Sequence, residues 1–79
     1  MHNLCQELRE RRNKLGLSQA KLCKFLKIPL ATYEKIESGR RAVPKTQAYK
    51  LNVYKHLRDE DVLIAIYHKK TIKDLYTNH

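Results

Sequence analysis

Apolar residues recur at helical spacing through most of this chain. Leu4, Leu8 and Leu15 share one face of the first segment, with Arg12 filling the place between them. That predicts a helix from about Asn3 to Leu15, ended by Gly16 as the left-handed residue after a helix. Ser18 then offers an oxygen to the free N–H groups of a second helix, whose inner face carries Leu22, Phe25 and Leu26. Pro29 opens a third helix, because at the first helical position the missing proline N–H would be unpaired anyway. This helix runs to Ser38-Gly39 with Tyr33 and Ile36 inward.

The second half is less regular. After Pro44, Tyr49, Leu51, Val53, Tyr54 and Leu57 give a noisier pattern that still reads as a helix over Thr46–Leu57. Asp59-Glu60-Asp61 supplies the acidic first turn that a helix dipole favours. The apolar run Val62–Tyr67 neither alternates nor forms one stripe, so a buried helix and a buried strand both fit it. The acidic start favours the helix. Thr71-Ile72-Lys73-Asp74 opens a short final helix. The expectation is all-α: a compact bundle of about five helices in one domain over 1–79, with a C-terminal strand at 62–67 as the alternative.

Composition narrows the function. Two glycines and two prolines fall at the expected helix boundaries. A chain of 79 residues buries only about 60% of its unfolded surface, which leaves no room for a deep substrate cleft beside a core. No nucleophile–base pair, paired carboxylates or phosphate-cradling glycine loop is visible, so an enzyme is not expected and no cofactor or small-molecule ligand is evident. The four histidines lack ligand spacing, so no metal site is expected. Cys5 and Cys23 are too few for a disulfide framework and fit a reducing compartment as small apolar groups.

Charge points to the partner. Lys and Arg total 17 against 8 Asp and Glu, a net charge of +9, which suits nucleic acid or an anionic membrane. No apolar run approaches the roughly 20 residues needed to span a bilayer. The start, MHNLCQELRERR, has no apolar signal-peptide region, so a cytoplasmic location is expected and a membrane partner is not.

Ser18–Gly39, SQAKLCKFLKIPLATYEKIESG, combines these features: helix, three-residue turn, helix, glycine stop. Two helices joined so tightly need a small side chain at their crossing, and Cys23 is small. A major groove admits one α-helix, whose N-terminal residues reach base edges. The third helix has the required two faces, with Ala31, Thr32 and Lys35 outward. Single-stranded RNA is often read by outward aromatics, whereas the tyrosines here fall mostly on apolar faces.

Residues 4–44 resemble the Cro and lambda-repressor type helix-turn-helix family. The resemblance rests on Leu-Gly-Leu-Ser-Gln before helix two, small Cys23, apolar Leu26, Ile28 and Ile36, and the closing Ile-Glu-Ser-Gly-Arg. It implies that Gln19 contacts phosphate and braces the recognition helix, and that Ser18 also reaches phosphate. It places Ala31, Thr32 and Lys35 at base-reading positions, with Leu30 adding apolar contact. Arg40, Arg41 and Lys45 match a basic loop that grips phosphate, and Arg12 and Glu37 match a scaffold ion pair. Lys35 can donate to guanine O6 and N7, and Ala31 or the Thr32 methyl can touch a thymine methyl.

The chain departs from the family twice. Lys27 stands where the turn usually carries a left-handed glycine, and Pro29 stands where a Ser or Thr usually caps helix three. The function implied is a sequence-specific DNA-binding transcriptional regulator, a repressor of phage or mobile-element type that binds a palindromic operator as a homodimer. Residues 58–79 would be its dimerisation tail, through Val62–Tyr67, Ile72, Leu75 and Tyr76. The alternative is an antitoxin-type autoregulator whose tail also binds a protein partner.

Overall fold

The computed structural model describes residues 3–76. His2 and His79 lie outside that range, and the Tyr76 side chain is outside the description. Among the described residues six helices follow one another: α1 (Leu4–Lys14), α2 (Gln19–Leu26), α3 (Leu30–Glu37), α4 (Lys45–His56), α5 (Asp59–Tyr67) and α6 (Ile72–Tyr76). No strand occurs among the described residues. The sixth helix is the short segment expected from Thr71, whose N–H donates to Asp74 Oδ2 at 2.8 Å.

Local chemistry accounts for most boundaries. Asn3 Oδ1 accepts from the Gln6 N–H at 2.8 Å and opens α1. Ser18 Oγ accepts from the Lys21 N–H at 3.1 Å and opens α2. Gly16 leaves α1 with φ +71°, a conformation in which a Cβ would crowd the chain's own carbonyl. Of the two expectations for Pro29, the cap position given by the family resemblance holds and the first helical position does not. Pro29 is the residue before α3 rather than its first, with ψ 136°, and its carbonyl accepts from the Tyr33 N–H at 2.9 Å.

The strand alternative at 62–67 is overturned: this segment is the body of α5. Its apolar run divides between two sides of a helix. Val62 and Ala65 are buried, while Leu63, Ile64 and Tyr67 are exposed. The same division places part of the expected dimerisation tail inside the core. Val62 and Ile72 are fully enclosed in this chain's own core and are unavailable to a second molecule. Tyr67, at 80% exposure, and the exposed Tyr49 also correct the expectation that tyrosines sit on apolar faces.

One core joins Leu22, Phe25 and Leu26 of α2, Tyr33 and Ile36 of α3, Leu51 and Tyr54 of α4, Val62 of α5 and Ile72 of α6. α1 contributes only Leu8 to it, and Leu4 is exposed at the helix's open end. Arginines occupy the rest of that inner side. Arg11 lies over the Tyr54 ring at 4.5 Å, donates from Nε to Asp59 Oδ1 at 3.0 Å, and reaches the Tyr54 and Leu57 carbonyls at the end of α4. One guanidinium thus caps α4 and fixes the start of α5.

Candidate nucleic-acid interface

Helix α3 is held by a buried carboxylate. Glu37, at the end of α3, is only 3% exposed. Arg12 of α1 grips it with Nη2 to Oε1 at 2.9 Å and Nε to Oε2 at 3.0 Å. Gln19, the first residue of α2, adds Nε2 to Glu37 Oε1 at 3.1 Å. Arg12 also donates from Nη1 to the Leu17 carbonyl at 2.9 Å. Burial alone would raise the Glu37 pKa, but the donors around it outweigh that and hold it below the usual carboxylate range. The arrangement ties α1, the entry to α2 and the exit of α3 into one unit.

Fixing α3 through Tyr33, Ile36 and Glu37 decides what faces outward. Leu30, Ala31, Glu34 and Lys35 are exposed, and Thr32 is partly buried. Among the described residues no side chain caps the N-terminus of α3, because Pro29 has no side-chain oxygen to offer. Ser18 is exposed and its hydroxyl keeps a proton to donate, although its oxygen already caps α2. The Gln19–Glu37 bond sets the start of α2 against the end of α3. Arg40 and Arg41 follow directly, and their N–H groups both return to the Lys35 carbonyl, at 2.9 and 3.3 Å. Lys45 begins α4, exposed. The expected base-reading residues Leu30, Ala31 and Lys35 therefore lie exposed on α3, with Arg40 and Arg41 in the loop after it.

A family model described as a helix-turn-helix domain matches residues 4–52, more than half of the chain. The chain belongs to the helix-turn-helix family. Its likeness to the Cro and lambda-repressor type is consistent with that match, and the protein is a DNA-binding transcriptional regulator. No curated protein and no solved structure matches it.

The turn of this helix-turn-helix protein has an unusual residue in its usual conformation. Lys27 sits at φ 58°, left-handed, without being glycine. Lys50 Nζ donates to its carbonyl at 2.7 Å and pins the turn to α4. Cys23 is buried where α2 packs, and burial pushes its thiol up to about 11, which makes it packing rather than chemistry. Burial, reinforced by the Glu37 charge, also pushes the Tyr33 hydroxyl far up. Among the described residues no group of His, Cys, Asp and Glu could hold a metal ion, and no helix is long and apolar enough to cross a membrane.

Two supports were not legible in the sequence. Arg11 and Lys50 carry no local sequence signal of a structural role, and each donates to backbone carbonyls. Arg11 finds its partners 43 to 48 residues away, so no local spacing announces them.

Proposed function

We propose that the protein is a sequence-specific repressor of phage or mobile-element type that binds a palindromic operator as a homodimer. The observation that carries this reading is the Arg12–Glu37–Gln19 lock, which holds α3 with Leu30, Ala31 and Lys35 exposed. Base readout falls to those residues and Thr32. Phosphate contact falls to Ser18, Gln19, Arg40, Arg41 and Lys45. Phosphate contacts set register, while base contacts set sequence.

The readers are chemically sparse. Lys35 is the strong donor among them, and Leu30, Ala31 and the Thr32 methyl suit thymine methyls. Much of the affinity then comes from phosphate contacts and from doubling the site. The uncapped N–H groups at the start of α3 suit a DNA phosphate as their partner. The exposed Leu63 and Ile64 of α5 supply the apolar surface for a second copy. The phage or mobile-element assignment rests on the family likeness alone.

Selection of bound DNA from a random pool tests the proposal. A palindromic consensus with its half-sites one helical turn apart is the expected result. Recovery of no consensus would sink it.

A further inference from the structure

A cavity of about 560 Å³ opens between the C-terminal half of α2 and the turn that joins α5 to α6. Its apolar lining is Phe25, buried beneath it, the half-buried Ile66, and the exposed ring of Tyr67 at its rim. Lys24 and Lys27 stand on one side of it, and Lys69 and Lys70 on the other. All four lysines are exposed, and among the described residues none has a carboxylate within ion-pair distance. Asp74 senses both Lys70 and Lys27, but it is already engaged by the Thr71 N–H and hydroxyl.

Backbone conformation singles out the same place. Four described residues adopt left-handed φ values: Gly16, Lys27, Gly39 and Lys69. The two glycines follow the ordinary choice for a chain leaving a helix. The two lysines, both at φ 58°, line this one groove. At each position the fold accepts strain that glycine would relieve, and it gains an ammonium at the rim.

We propose that this groove is a docking site for an acidic segment of a partner protein, with one apolar side chain seated on Phe25, Ile66 and Tyr67 and flanking carboxylates met by the lysines. A DNA duplex fits less well. It presents phosphates on a convex, hydrated surface and would leave the apolar lining uncovered. None of the residues assigned to DNA contact lines the groove. A partner held here rests against α2 and the turn that together position the recognition helix.

Fluorescence anisotropy with labelled peptides tests this. The probes are acidic decapeptides of Asp and Glu that carry one Phe, Tyr, Leu or Ile at the fifth position, beside a parent with Ser there. At physiological salt, at least one anchored peptide binds about tenfold more tightly than the parent, the size expected for burying one large apolar side chain. Lys69→Gly keeps the fold and relieves its left-handed backbone, yet weakens that peptide several-fold. The double neutralisation Lys69→Gln/Lys70→Gln abolishes the preference and, at physiological salt where distant charges are screened, leaves binding to a duplex unchanged. Equal binding of every peptide and the parent would overturn the proposal. So would wild-type affinity in Lys69→Gly, or a loss of duplex binding in the double variant, which would make the groove part of the DNA track.

Discussion

Gln19 and Glu37, the first residue of α2 and the last of α3, share a hydrogen bond of 3.1 Å within the grip of Arg12. The bond joins a side chain assigned to phosphate contact to the anchor of the recognition helix. A displacement of Gln19 therefore acts on α3 through one bond.

Glu37→Ala leaves the Arg12 guanidinium, 15% exposed, without its partner. Removing one member of a buried pair costs about 3 kcal/mol, and chemical denaturation will show a loss near that size. The pH dependence has a definite sign. The Glu37 pKa is lower in the folded chain than in the unfolded one, so its contribution is complete above the ordinary carboxylate range and is lost as pH falls through the folded value. Stability followed by circular dichroism should decline on acidification below about pH 4.5, and less steeply in Glu37→Gln.

Lys27→Gly relieves a left-handed lysine while keeping the carbonyl that Lys50 holds. The gain is about 1 kcal/mol, or roughly 4–8 °C in melting temperature for a domain of this size. A lower melting temperature would show that the Lys27 side chain stabilises the fold by more than its backbone strain costs.

Lys35→Ala and Arg41→Ala should fail differently. In DNA selection, Lys35→Ala relaxes preference at one position of the half-site, whereas Arg41→Ala weakens all sequences alike. With about eight phosphate contacts in a dimer, the log-log salt slope of the native protein lies near −7. Identical behaviour of the two variants would erase the distinction between reader and gripper.

Ile64, 56% exposed on α5, is a central residue of the proposed dimer surface. Ile64→Asp should leave the melting of the monomer unchanged and shift sedimentation toward the monomer. Operator affinity falls with it, while non-specific binding per chain holds.

Cys23, buried with its thiol pushed up to about 11, is protected both by access and by charge state. At pH 8 its labelling by a disulfide reagent proceeds at the rate of global unfolding. Rapid labelling in the native state would contradict its place in the core.

The sequence was most informative where the determining contacts are short-range. Ser18 caps α2 from its own cap position, Gly16 ends α1, and Lys27 occupies the left-handed turn expected from the family pattern. The Arg12–Glu37 pair was also legible, but only through resemblance, since 25 residues separate the two. Pro29 shows the margin of error. A proline marks a helix start, but its fixed φ suits the residue before the helix as well as the first one within it.

By itself, the sequence determined the helical class, the helix-turn-helix and the cationic character of the chain, because spacing, caps and charge are local or additive properties. The tertiary structure alone decided how Val62–Tyr67 divides between core and solvent, since a run that is apolar on every side does not say which side meets α2. It alone recruited Arg11 to the carbonyls of α4 and set Lys24 and Lys27 across a groove from Lys69 and Lys70. Those relationships join residues more than forty positions apart. Such contacts come from packing, which places side chains by volume and direction rather than by their order in the chain.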